Sequence, residues 1–259
     1  MSLSSSKLQP AAGRSDYILE CCTDSTASAL AAHRGGADRL ELCSNLIIGG
    51  TTPTLSLFES IREQCDIRIH ILIRPRFGDF LYSEDEIRIM EKDIARFRKA
   101  GADGVVIGAL NPDGTLNPEA LKRLIGQAEG MHLTLHRAFD MCKDAEEALE
   151  TACTLGFDTI LTSGQKNCCT DGIPLLNELQ TQAADRLTIM AGAGVNASVI
   201  ERLLTETSLH AFHMSGKKVI NSAMTYRNPS VSMGLPGFDE YSLWQTDEEA
   251  IRTARKVLS

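Results

Sequence analysis

Charged and thiol side chains recur at alternating positions inside otherwise apolar runs of this chain. Glu20 and Cys22 alternate in ILECC, Glu41 and Cys43 in LELC, and His70 and Arg74 in HILIR. His132, Thr134 and His136 alternate in HLTLH, and His213 and Ser215 in HMS. Alternate residues of a strand share one face, so each set points to one side of its strand. Glu20, Cys22, Cys43, Arg74, His136 and His213 all lie late in their runs, so strands running side by side would bring them together at one end. Burying two carboxylates without partners costs several kcal/mol, and Arg74, with a protonated His136, is the expected compensation for Glu20 and Glu41. Such a set suits proton transfer on a small anionic substrate, with Glu41 or Glu20 as base, His136 as acid and Arg74 as clamp. The alternative is an internal salt-bridge network, which for Glu41 and Arg74 taken alone is equally well supported.

The eight cysteines divide by position. Cys22 and Cys43 fall at equivalent heights on neighbouring strands, and strands lie about 4.8 Å apart, so both thiolates can reach one soft cation such as Cu(I). Spacing alone equally describes two small buried side chains. No CxxC or HExxH spacing supplies a zinc site. Cys168 and Cys169 are adventitious ligand candidates, and Cys21, Cys65, Cys142 and Cys153 read as packing residues.

The elements that must position these groups alternate regularly. Strand candidates are YILECCT from Tyr17, DRLELCS from Asp38, IRIHILIRP from Ile67, DGVVIGAL from Asp103, HLTLHRAFD from His132, DTILTSG from Asp158, LTIMAGAG from Leu187 and AFHMSG from Ala211. Helix starts are marked between them by Ser83 with Glu86, Asn117 before Pro118, Asp144 with Glu147, and Asn196. Helix ends carry a recurring phrase, RGGADRLEL, KAGADGVVI and LGFDTILTS, with Gly available for the left-handed position. Eight βα units with short connections predict an α/β fold, a single (β/α)8 TIM barrel over residues 17–259, whose functional groups gather at the C-terminal strand ends. The turn after the first strand lacks the glycine fingerprint of a doubly wound sheet. Gly192 and Gly194 after the seventh strand, with Ser215 and Gly216 before Lys217 and Lys218 after the eighth, are the candidate anion site. Residues 219–245 show no period and read as a long loop that wraps the barrel or meets a second subunit, and Thr246 with Glu249 opens a last helix.

The formal charge is −8 from 26 basic and 34 acidic residues, which disfavours nucleic acid and anionic membranes as partners. No run is long and apolar enough to span a bilayer. Residues 1–16 read as a disordered tail without the apolar segment of a signal peptide, which points to the cytoplasm and to reduced thiols.

The motifs LECCTDSTASA, GGADRLELCSNLIIGGTTP, IRPRFGDFLYS, GADGVVIGAL, TLHRAFDM, LTSG and YRNPSVSMG, in this order over nearly all of the chain after residue 16, resemble the CutC family. The resemblance implies a cytoplasmic, commonly oligomeric (β/α)8 barrel assigned to copper homeostasis, with Cu(I) bound in some members by two cysteines. Those cysteines correspond to Cys22 and Cys43, and the polar mouth residues to Glu20, Glu41, Arg74, His136 and Asp140. Two departures are Ala193, where relatives often carry glycine, and the vicinal Cys168 and Cys169. Three readings follow: a Cu(I)-handling protein, a lyase or isomerase acting on a small anionic or phosphorylated metabolite, and a non-catalytic oligomeric scaffold using the 219–245 segment as a dimer arm.

Overall fold

The computed structural model describes residues 17–234 and 239–259. The tail expected over residues 1–16 lies outside them. Eight parallel strands close into a barrel in sequence order: β1 Ile18–Thr23, β2 Arg39–Leu42, β3 Arg68–Leu72, β4 Gly104–Ile107, β5 His132–Leu135, β6 Thr159–Thr162, β7 Thr188–Ala191 and β8 Ala211–Met214. The outer helices are α1 Thr26–Gly35, α2 Leu55–Arg62, α3 Glu84–Lys99, α4 Pro118–Gln127, α5 Ala145–Leu155, α6 Ile173–Ala183, α7 Ala197–Glu206 and α8 Glu248–Val257. All eight expected strands are present. No helix among the described residues is long and apolar enough to cross a membrane.

Two apolar layers result from the period-two alternation. Leu19, Cys21, Leu40, Leu42, Ile69 and Ile71 face outward into one large core beneath the helices. The lumen holds much smaller apolar clusters, Ile18 with Leu161, Met190 and Ala211, and Cys43 with Leu72 and Val106. The remaining lumen positions of β1, β2, β3, β5 and β8 carry the polar residues of interest.

Local signals in the sequence are realised atom by atom. Ser83 and Glu86 form a reciprocal capping box at α3, and Asn117, Asp144 and Asn196 cap α4, α5 and α7. Gly36, Gly101 and Gly156 each take positive φ just past a helix, where a Cβ would be strained. The aspartate that follows in the recurring phrase has its own task. Asp38, Asp103 and Asp158 accept hydrogen bonds from the N–H groups of Leu19, Ile69 and Leu133 at 2.7, 2.9 and 2.8 Å. Their own N–H groups return to the carbonyls of the same three residues. Each phrase therefore fastens the start of an even-numbered strand to the odd-numbered strand before it.

Two expectations are corrected beyond β8. The 219–245 segment is not wholly irregular, because β9 Lys217–Asn221 and β10 Ser242–Thr246 pair as antiparallel strands. Their pairing spans some twenty intervening residues, so no local turn signal reveals it. The last helix is capped by Asp247, whose side chain accepts from Glu249 N–H, while Thr246 ends β10. Helix α8 then buries Ile251 and Ala254 and packs against α1 and α7.

If the aspartate fastening carries barrel stability, Asp158→Ala strands the buried Leu133 N–H and costs about 1–3 kcal/mol, read as a lower urea midpoint at unchanged slope. An unchanged midpoint would remove the role assigned to the repeated phrase.

Candidate functional site

The C-terminal strand ends surround a cavity of 440 Å³ whose lining includes Cys22, Glu41, Arg74, His136, Arg137 and His213. Strand register sets the relative heights of these groups. Glu20 lies opposite Arg39 on β2 and His213 on β8, whereas Cys22 lies opposite Glu41.

At the floor, Glu20 is fully buried and pairs with Arg39 Nε at 2.5 Å and His213 Nδ1 at 2.6 Å. Burial alone would raise its pKa, but the Arg39 guanidinium and the His213 ring hold the carboxyl well below the usual range. Glu41, one level higher, lies 3.8 Å from His213 Nε2. Burial pushes its pKa up to about 7, against the attraction of His213 and with the repulsion of Glu20. Burial likewise opposes a charge on His213, but Cys22, Glu20 and Glu41 surround the ring and raise its pKa well above the ordinary value. The ligand atoms of Cys22, Glu41 and His213 all lie within 4.8 Å of one another. Glu20 on Nδ1 fixes the His213 ring and leaves Nε2 for this cluster, the arrangement in which an outer carboxylate orients a metal-binding histidine.

The expected charge compensation is corrected. Arg74 meets neither carboxylate: its Nη1 donates to Gly50 O at 3.0 Å and its Nη2 to Gly78 O at 2.7 Å. It sits just past β3, in a loop whose carbonyls wrap it. His136 is neutral, since burial and then the nearby Arg74 charge push its pKa down to about 3. Arg39 and His213 do the work assigned to that pair. Arg39 shares the Glu41 face by simple alternation, a signal available in DRLEL, but its partner is fixed only by the register between strands.

The other predicted residues separate. Cys43 is buried between Leu72 and Val106, and its thiol donates to Thr23 O at 3.4 Å, so it stands outside the three-donor group. Asp140 does not line the cavity. Its carboxylate accepts from Arg137 Nε at 2.6 Å, Thr162 Oγ1 at 2.5 Å and the N–H groups of Ser163 and Gln165 at 3.1 Å. It thereby fastens the β6–α6 connection and holds Arg137 at the mouth. Gly194 and Ser215 line the cavity, whereas a Cβ on Gly192 would meet Leu161 at 2.6 Å and one on Gly216 would meet Ile251 at 2.6 Å, so those two glycines serve close packing. The thiol of Cys168 contacts Asp171 at 3.1 Å and Cys169 is buried. Arg137 and Phe80, both lining residues, lie within the motifs TLHRAFDM and IRPRFGDFLYS, but sit past the strands, where alternation assigns no face.

Two measurements check this electrostatic account. Arg39→Met leaves Glu20 buried without its principal cation and costs about 3–5 kcal/mol; a wild-type unfolding midpoint would contradict the pairing. The buried imidazoles of His70 and His136, both pushed down to about 3 mainly by burial, titrate near 6.5 when unfolded. Their contribution is complete above pH 6.5 and is lost as pH falls from there toward 3. Glu41 acts in the opposite sense, stabilising most below about 4.5 and less as pH rises through 7. The stability difference between wild type and His136→Gln should therefore shrink as pH drops from 6.5, and a pH-independent difference would contradict a neutral buried ring.

Comparison with known proteins agrees with this architecture. The family model described as the CutC family matches residues 17–218. A CutC family protein of Bacteroides thetaiotaomicron is 46% identical over 245 residues, covering 94% of this chain and 96% of the relative. The human protein named copper homeostasis protein cutC homolog is 42% identical over 242 residues, covering 93% and 89%. The crystal structure of CutC from Streptococcus agalactiae superposes with a TM-score of 0.72 at 31% identity, covering 77% of this chain and 98% of that one. With the family model running through all eight strands and relatives at least 42% identical over most of their own length, the chain belongs to the CutC family.

Proposed function

We propose that this protein handles Cu(I) at the barrel mouth, with Cys22 Sγ and His213 Nε2 as the ion's two ligands. The observation that carries the reading is the convergence of Cys22, Glu41 and His213 within 4.8 Å, backed by the 2.6 Å contact from Glu20 to the far side of the His213 ring. Thiolate and imidazole suit Cu(I), whereas carboxylate oxygen suits harder ions. Glu41 is then a neighbouring charge and not a ligand. His213 gives up its Nε2 proton when the ion binds, so loading releases protons. Cys43, the second sulfur expected from the resemblance, is a reserve thiol that would first have to turn away from Thr23 O. The human relative's name, a copper homeostasis protein, supports the cargo. Eight free thiols support a reducing compartment, the cytoplasm.

An anaerobic Cu(I) titration against a competing chelator tests the assignment. Cys22→Ser should abolish tight binding, and Glu20→Gln should weaken it about 10–100-fold by releasing the His213 ring. Cys43→Ser and the double replacement of Cys168 and Cys169 by Ser should have smaller effects. Unchanged affinity in Cys22→Ser, or a loss in Cys43→Ser that exceeds it, overturns the ligand set. A Cys–His–Glu group also accepts zinc, so Zn(II) belongs in the same titration; preference for Zn(II) over Cu(I) would contradict the cargo.

The reading includes self-association through the β9–β10 arm, whose Val219, Met224, Tyr226, Val231 and Met233 are exposed. Light scattering should give the mass of at least two chains, falling to one when Met224, Tyr226 and Met233 become Ser. A monomeric wild type contradicts it.

A further inference from the structure

On one side of the mouth lies a buried positive charge, that of Arg74, which no carboxylate answers. Arg74 is 8% exposed, its guanidinium makes its hydrogen bonds to backbone carbonyls, and its buried Nε–H has no partner among the described residues. A buried cation neutralised only by carbonyl dipoles is costly. His136, 4% exposed, repeats the pattern. Its Nδ1 accepts the Ala138 N–H at 3.1 Å, so in the neutral ring the proton sits on Nε2, which is also without a partner. Phe80 packs against both groups, its ring 5.1 Å from the guanidinium carbon and 4.8 Å from the imidazole. These are donors held in place by packing, and the side-chain oxygen beside the guanidinium is the neutral hydroxyl of Tyr82 and not a carboxylate.

The rest of the wall matches in sign. Arg137 is held by Asp140, and Lys217 places its ammonium 3.5 Å over the Trp244 ring; both line the cavity. The connection from β7 to α7 also lines it through Ala193, Gly194 and Val195, whose N–H groups donate to nothing among the described residues. Ala193 takes φ +69° and Gly194 +81°, a conformation unfavourable for alanine that persists where surrounding contacts impose it; here Cys169 N–H bonds Ala193 O at 3.0 Å. The cavity, at 440 Å³, has the size of a small-molecule site and far exceeds the need of one ion on Cys22 and His213.

We propose that the mouth binds a small organic anion, its carboxylate or phosphate group seated against Arg74 and His136 and its other polar end reaching Arg137 and Lys217. Ligation by Arg suits both headgroups. The site shares the cavity with the Cu(I) ligands but uses none of them, so the two readings stand or fall separately.

The chain's single tryptophan, Trp244, lies on Lys217 and reports on the wall directly. Full-length, chelator-treated protein is titrated with inorganic phosphate and with succinate at constant ionic strength, following tryptophan fluorescence and calorimetric heat. Saturable binding of at least one probe is expected, with phosphate or succinate preference naming the headgroup. Arg74→Ala should weaken it at least about tenfold, the size of one lost charge-assisted contact. If Arg74→Ala unfolds because three carbonyls lose their donor, Arg137→Ala and Lys217→Ala carry the test, each expected to weaken binding severalfold. Cys22→Ser should bind the probe like wild type. No saturable signal from either probe, wild-type affinity in the folded cationic-wall variants, or loss of binding in Cys22→Ser overturns the proposal.

Discussion

Glu20 lies wholly inside the barrel, and an ionised carboxylate persists there because Arg39 on the next strand meets it at 2.5 Å. Desolvating two charges costs more than most pairings return, and a well-packed apolar pair commonly serves stability as well or better. The consequence of the pair lies in what it positions. The second oxygen of Glu20 takes His213 Nδ1, which fixes that ring and turns Nε2 toward Cys22 and Glu41. One buried ion pair on β1 and β2 thereby sets the position of the His213 ring on β8, a strand that neighbours β1 because the barrel closes.

Above that floor the mouth divides into two halves of opposite character. The β1, β2 and β8 side offers a thiol, a carboxylate and an imidazole, groups that accept a cation or exchange a proton. The β3 and β5 side, with the β6–α6 and β7–α7 connections, offers hydrogen-bond donors and positive charge. The separation follows from strand order: acidic lumen residues fall on β1 and β2, and the cationic residues of the mouth fall just past β3, β5 and β8. Asp140 maintains the division by keeping Arg137 at the rim, so a residue that does not line the cavity still shapes its field.

The barrel was legible in the sequence because its signals are local. Apolar runs of four to six residues, capping side chains such as Ser83 and Asp144, and glycine followed by aspartate at strand starts each act within a few residues, and all reappear in the structure. The candidate site was legible only in part. Alternation placed Glu20, Cys22, Glu41, His136 and His213 on lumen faces near the mouth, and that follows from period two. Which charge neutralises which carboxylate depends on the stagger between strands, and alternation alone does not distinguish Arg39, the actual partner of Glu20, from Arg74. Cys43 shares a face with Glu41, yet one step in height takes its thiol into the small cluster with Leu72 and Val106. The β9–β10 pairing escaped because its partners are far apart in sequence.

The central claim is that Glu20 fixes His213 so that its Nε2 and the Cys22 sulfur receive one ion. X-ray absorption at the copper edge of the singly Cu(I)-loaded protein tests it most directly. The account predicts one sulfur and one imidazole nitrogen around copper, with the imidazole signal lost in His213→Ala. A first shell made of sulfur alone, unchanged in that variant, would contradict it.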